Sequence, residues 1–274
     1  MESTLLNPAG KLIYKYKPVL FLHKKEKYEL LNFDYYVSNC DVTYTDADEQ
    51  TIIRKPHNTV FRNMLQNVKD HSCLSLVPSI DFDYECNECI PTVYGFSRES
   101  GDYYELVYCF FFSYNDFNRC LCIDGNHIAD LEHCTVRVRK SDRKIERVYY
   151  GSHGYRDGTY VDENEVETDE TGRPIIYIAK GSHGIYPKKS TYYRYFCFAN
   201  DYTDNTKTIN EYQLSIINDD SLLYVYKGKI GPNTGALTKQ PWFLEESWTK
   251  NTCLTRCCPM VKVCSLLRKY FSTR

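Results

Sequence analysis

Tyr103-Tyr-Glu-Leu-Val-Tyr-Cys-Phe-Phe-Phe-Ser113, with Glu132-His-Cys-Thr-Val-Arg-Val-Arg-Lys140 further along, sets the fold class. The first segment is rich in Tyr, Val and Phe, and its longest apolar run, Val107–Phe112, has the length of a strand rather than of a membrane span. The second alternates, with Cys134, Val136 and Val138 on one face and Thr135, Arg137 and Arg139 on the other, which is the period of a half-buried strand. Ile145–Tyr150 and Ile175–Ala179 read as further strands, each bounded by charged or Gly/Pro-containing turns. Nearer the start, Lys11–Tyr16 and Val19–Leu22 read as short strands on either side of Pro18. Thr59–Val68 reads as a helix with Val60, Met64 and Val68 on one face. The expectation is a mainly β protein, an antiparallel β-sandwich with a few short helices, in a single domain over residues 1–250. Residues 251–274 then form a Cys-rich basic tail.

Composition agrees with strands. The chain of 274 residues holds 26 Tyr and 13 Phe, residue types that suit pleated, half-buried surfaces. A chain this long buries roughly three quarters of its unfolded surface and needs no disulfides to hold a core. With 34 basic and 36 acidic residues the net charge is -2, so the basic footprint of a nucleic-acid binder is missing. The chain holds 13 Cys, an odd number, together with no Asn-x-Ser/Thr acceptor and no apolar signal core. A reducing compartment and free thiols are therefore expected, with a cytoplasmic location, or a peripheral membrane one. Cys86-Asn-Glu-Cys89 is a lone CxxC; a structural zinc site would need a second pair, and Cys120 and Cys122 are poorly spaced for it. The acidic run Asp162–Glu170 reads as a solvated loop.

Chemistry concentrates in Asp124-Gly-Asn-His-Ile-Ala-Asp-Leu-Glu-His133, which carries two His and three carboxylates. On a strand, Asp130 and Glu132 share a face with Cβ atoms roughly 7 Å apart. They could hold one cation, with His127 folding over them from the preceding turn. Hard oxygen donors suit Ca²⁺ or Mg²⁺, and added imidazole shifts the choice toward Mn²⁺, Fe or Zn²⁺. Paired carboxylates could equally act as general acid and base. His133 falls on the opposite face. Two later loops repeat Gly-Ser-His-Gly after an apolar strand, at Gly151–Gly154 and Gly181–Gly184, so His153 and His183 are candidates to join the cluster or to cap their own loops. Nucleophile elbow, P-loop and dinucleotide fingerprints are absent, and no organic cofactor is expected.

Asn126-His-Ile-Ala-Asp-Leu-Glu-His-Cys-Thr-Val-Arg-Val138 resembles the signature of the vacuolar protein sorting-associated protein 62 family. Tyr14–His23 with Glu26 and Tyr28, Phe111–Asn115, the two His loops, and Tyr226–Gly231 with Trp242 resemble other segments of that family in the same order. The family is in turn distantly similar to the necrosis-inducing toxins, β-sandwiches that bind a divalent cation at a membrane-facing site. The resemblance implies His127, Asp130 and Glu132 as ligands of a cation (Ca, Mg or Mn), with Asp116 a fourth. Two positions depart from the family signature: Ala129 stands for its Gly and Leu131 for its Trp. Relative to the toxin pattern an extra residue also separates His from Asp.

The tail from Cys253 to Phe271 mixes four Cys with basic and apolar residues, a setting for reversible palmitoylation (at Cys257 and Cys258, for example) or for lying on an anionic membrane. Its alternative is an ordinary docked helix. Three function classes follow. The first is a trafficking-related protein with a divalent-cation site and a tail that meets lipid or glycolipid head groups. The second is a metal-dependent hydrolase using His127, Asp130, Glu132, His153 and His183. The third is a non-catalytic interaction module.

Overall fold

The computed structural model describes residues 8–46, 49–68, 70–86, 89–116, 126–152, 158–193, 200–209, 211–231 and 237–238. In chain order the elements that build the core are α1 (Pro8–Lys15), β1 (Val19–Leu22), α2 (Phe33–Ser38), β2 (Cys40–Asp46), β3 (Glu49–Ile53), α3 (Asn58–Asn67) and β4 (Leu74–Pro78). There follow β5 (Thr92–Ser100), β6 (Tyr103–Asn115), β7 (His127–Arg139), β8 (Ile145–Tyr150), β9 (Thr159–Asp162), β10 (Ile175–Ile178) and β11 (Ile185–Tyr186). The last are β12 (Thr191–Tyr192), β13 (Asp201–Tyr202), β14 (Lys207–Ile209), β15 (Gln213–Ile216), α4 (Leu222–Val225), β16 (Lys229–Ile230) and β17 (Leu237–Thr238).

The strand quoted first is the centre of the molecule. Every residue of β6 from Glu105 to Ser113 is buried, because the six-stranded sheet β15-β5-β6-β7-β8-β9 is covered on both faces. Even-numbered side chains of β6 (Leu106, Tyr108, Phe110, Phe112) join Cys134, Val136 and Val138 of β7 in one core. That core is closed by α1 and by residues of the four-stranded sheet β11-β10-β1-β14. Odd-numbered ones (Val107, Cys109, Phe111) enter a second core with Val42, Leu74 and Leu76 of the five-stranded sheet β17-β16-β4-β2-β3 and with the other helices. A strand with no solvent face has no reason to alternate, and hence the run of Phe. Each Phe so buried contributes roughly 1.5–3 kcal/mol.

The mainly β sandwich expected from the sequence is therefore present, in three layers. Most pairings are antiparallel, but β1 with β10, β5 with β15 and β4 with β16 run parallel. Two local expectations are corrected. Lys11–Lys15 lies in helix α1 and Tyr16 in the turn that closes it, not in a strand: Leu12, Ile13 and Tyr16 are buried while Tyr14 is 43% exposed. That is helical spacing, and Tyr16 N–H closes the turn on Leu12 O at 2.9 Å. The helix expected at Thr59–Val68 forms, capped by His57 Nδ1 accepting from Thr59 N–H. Its buried face, however, carries Phe61 and Leu65 rather than Val60, so it is rotated by one position. No helix among the described residues is long and apolar enough to cross a membrane.

The docking of α1 on the central sheet uses one buried polar contact, Tyr108 Oη donating to Ile13 O at 2.8 Å. Tyr108→Phe removes the donor and strands that carbonyl inside the core. Urea unfolding should show a loss of about 1–2 kcal/mol; an unchanged midpoint would mean that α1 is not held there.

Candidate functional site

Register decides what faces what. The antiparallel pairing of β6 with β7 sets Phe112 opposite Asp130 and Asn115 opposite His127. Asp130 and Glu132 do share a face and are both buried, on the side of the first core. His133 is buried on the other face, its ring 5.5 Å from that of Tyr149.

The loop from β10 to β11 brings the second Gly-Ser-His-Gly over this spot. Its turn is fixed by Ala179 N–H to Gly184 O (2.9 Å) and His183 N–H to Ala179 O (3.1 Å). Gly181 has φ +72°, and a Cβ there would lie 2.2 Å from Asp116 O; glycine is the residue that fits both conditions. His183 itself adopts φ +52°, a conformation that costs a non-glycine residue on the order of 1 kcal/mol. The strain is repaid by what the ring meets. It stacks on Phe112 with centroids 3.8 Å apart and planes within 3°. Nδ1–H donates to Asp130 Oδ2 at 3.0 Å, and Nε2 lies 3.6 Å from Glu26 Oε1, an ion-pair distance slightly beyond hydrogen-bond length.

Both carboxylates are held by further donors. Asp130 Oδ2 accepts from Asn115 Nδ2 (2.8 Å) and Oδ1 from Leu131 N–H (3.0 Å). Glu26 accepts from the backbone N–H groups of Lys27, Tyr28 and Gly181 at 2.9, 3.0 and 2.5 Å. Ser182 and Tyr186 both donate to the buried Asp201, which fixes the loop from its other side.

His183 is wholly buried. Burial alone would discharge the imidazole, but the hydrogen bond to Asp130 and the charges of Asp130 and Glu26 outweigh it and raise its pKa to about 9. Burial likewise opposes ionisation of Asp130 and Glu26, and the His183 partner reverses it, holding both below the usual carboxylate values. The arrangement is an imidazolium gripped between two carboxylates.

The sequence-derived candidates are thus only partly brought together. Asp130 and His183 meet. His127 turns Nδ1–H onto Ala129 O at 2.6 Å. Asp116 meets the loop through its backbone, N–H to Gly181 O at 2.9 Å. Among the described residues no three His, Cys, Asp or Glu side chains form a group that could hold a metal ion. The donor chemistry explains this at Asp130, whose oxygens are already engaged. His153 and the tail, with Cys257 and Cys258, lie outside the described residues. Sequence reasoning missed Glu26 and Asn115 as partners. Glu26 stood in the N-terminal stretch that carries the family resemblance, and that was the available signal. The expectation of free thiols is corrected at Cys86 and Cys89, which form a disulfide; Cys40, Cys109 and Cys134 are free and buried.

Fold and site together define a β-sandwich whose layers are tied by a buried carboxylate–imidazolium–carboxylate bridge. Residues 116–201, which contain β7 and both His loops, match the family model for vacuolar protein sorting-associated protein 62. The family likeness read from the sequence is found again there. Among solved structures the chain is similar to necrosis and ethylene inducing protein 2 from the causal agent of cocoa's witches' broom disease. Identity is 13%, coverage 77% of this chain and 73% of that one, and the TM-score 0.38. It is also similar to NLPPya in a complex with glucosamine (11%, 77% and 74%, 0.40) and to the non-toxic HaNLP3 protein (15%, 77% and 75%, 0.39). The comparison with curated proteins returns no match.

Two outcomes test the site. His183→Gln leaves two buried carboxylates without their cation and should cost about 3–5 kcal/mol in urea unfolding. In the parent protein the folded pKa of His183, about 9, stands above its ordinary value of 6.5. Its contribution, on the order of 3 kcal/mol, is therefore complete below pH 6.5 and disappears as pH rises through about 9. The lowered carboxylates act oppositely, losing their share as pH falls through their folded values. Unfolding midpoints should decline between about pH 6.5 and 9, and that part of the decline should vanish in His183→Gln. Above it both proteins lose stability alike, because unfolding frees the buried thiols to ionise. A flat profile between pH 6.5 and 9 in the parent would show that the ring is not charged.

Ala129 offers a second test. Its φ is +60°, the left-handed region, where the family signature carries Gly. Ala129→Gly should raise stability by about 0.5–1 kcal/mol, the relief of a misplaced Cβ less the entropy that glycine costs.

Proposed function

We propose that this chain is a non-catalytic interaction module of the vacuolar protein sorting-associated 62 type. Its His/Asp/Glu cluster holds the layers of the sandwich together, and a partner is engaged elsewhere on the surface. One observation carries the reading: His183, the residue that meets both acids, is fully buried and stacked on Phe112. A group that acts on a substrate must reach it, and this ring is sealed. The same geometry weighs against the cation expected from the family resemblance, because the positive charge between the two carboxylates is supplied by the imidazolium. The family's name supplies the setting, protein sorting, and the basic Cys-rich tail remains the proposed contact with lipid or glycolipid head groups.

Thermal melting of the full chain in EDTA, then with Ca²⁺, Mg²⁺, Mn²⁺ or Zn²⁺, tests the cation-independent reading. A cation bound at a hundred times its dissociation constant would add about 2.7 kcal/mol; the expected shift is nil. A shift that disappears in Asp130→Asn would establish a metal site. Hydrolysis of ester, phosphoester or glycosidic probes that is lost in Glu132→Gln would establish an enzyme. Liposome flotation with and without residues 253–274 tests the tail.

A further inference from the structure

The CxxC pair plays no part in the cluster around His183. Cys86 and Cys89 are joined by a disulfide between β4 and β5. Both are half-buried against the second core, and both line an open cleft of about 650 Å³ with Asn32, Tyr35, Asp83 and Ile90.

A purely structural role explains this bond poorly. Cross-linking stabilises by removing freedom from the unfolded chain, and the gain shrinks with the length of the loop closed. The ring here spans three positions of sequence. The segment leading into it is already fixed by other means. Ser113 Oγ donates to Tyr84 O at 2.6 Å, the Phe82 ring lies 5.5 Å from Tyr36 and 4.9 Å from Tyr84, and Tyr84 lies 5.7 Å from Tyr114. The bond adds little to a loop so anchored, yet it sits in the wall of a cleft that a thiol can enter.

We propose that Cys86–Cys89 is a thiol–disulfide exchange site for a small cationic thiol. The incoming thiolate attacks one sulfur, forms a mixed disulfide with that cysteine and releases the other cysteine as a thiolate, which takes up a proton. A second equivalent of the small thiol attacks its own half of the mixed disulfide and releases the remaining cysteine, which is protonated in turn. Two small thiols are oxidised to their disulfide, and their two electrons and two protons pass to Cys86 and Cys89. The sign of the partner's charge follows from the lining. Asp83 is its carboxylate, and Glu85 N–H donates to Asp83 Oδ1 at 2.9 Å, which places a second acidic residue on the same turn. An ammonium group beside the attacking thiol is drawn in, whereas anionic glutathione is repelled.

The full chain is equilibrated in graded cysteamine/cystamine mixtures, and separately in reduced/oxidised glutathione, then acid-quenched, alkylated and mapped by mass spectrometry. Cys86 and Cys89 should convert together in one two-electron transition. Cys40, Cys109 and Cys134 should read as thiols at every ratio and form no mixed disulfide, being buried with their thiol pKa values raised by desolvation. Cysteamine should react about fivefold faster than glutathione at equal thiolate concentration, and Asp83→Asn should shrink that ratio. Of the single variants C86S and C89S, at least one should trap a mixed disulfide with cysteamine. The site is overturned if both cysteines are thiols in protein purified without reductant. It is equally overturned if the bond persists at every ratio while the fold stays intact. Equal rates with the two thiols overturn the cationic assignment.

Discussion

Burying a full positive charge in a protein core is costly unless opposite charge and hydrogen bonds accompany it, and the architecture around His183 is arranged to supply both. Three segments remote in sequence meet there: the turn after β1 through Glu26, strand β7 through Asp130, and the β10–β11 loop through His183 itself. Two carboxylates face one imidazolium, so the cluster carries excess negative charge. Backbone N–H groups of Lys27, Tyr28, Gly181 and Leu131, with the Asn115 amide, point their dipoles at that excess. The four-stranded and six-stranded sheets are thereby joined by directional bonds as well as by apolar packing. Such a joint fixes relative position, which hydrophobic contact alone does not.

The strained loop belongs to the same joint. Positive φ at both Gly181 and His183 is tolerated because Asp116, Glu26, Asp130 and Asp201 hold the loop at separate points. Strain of this kind often marks a catalytic centre. Here it accompanies a ring with no path to solvent, so what is stored in the backbone serves placement. Phe112 completes the seal from below, which links the imidazolium to the most deeply buried strand of the protein.

How much of this was legible beforehand depended on the range of the interaction. Strands β6, β7, β8 and β10 were readable because alternation or an unbroken apolar run is a local record of what each face meets. The shared face of Asp130 and Glu132 followed from the same period. Helix α1 was misread because Leu12, Tyr14 and Tyr16 alternate as a strand would, while Leu12, Ile13 and Tyr16 also fit a helix. Tertiary packing, which buries Ile13 and leaves Tyr14 exposed, made the choice. The partnership of Glu26 with His183 is wholly non-local. Residue type can announce that both are candidates, but which carboxylate the ring reaches depends on how β10 and β1 pair, and that parallel pairing has no short-range signal. The Cys86–Cys89 bond was misjudged for another reason, since compartment was inferred from the cysteine count and extended to every thiol.

The two departures from the family signature now have a common physical reading. Ala129 and Leu131 stand on either side of Asp130 in sequence, and both side chains belong to the second core, under the five-stranded sheet, whereas Asp130 faces the first. Replacing an aromatic residue by Leu at 131 therefore alters packing on the far side of the central sheet. The carboxylate–imidazolium contact on the near side is left untouched. The substitution at 129 leaves the backbone in the left-handed turn that glycine would favour, so the path that brings Asp130 to His183 is kept at the expense of local strain. The charge arrangement and the side chains at 129 and 131 thus lie on opposite faces of the central sheet, and one can change without touching the other.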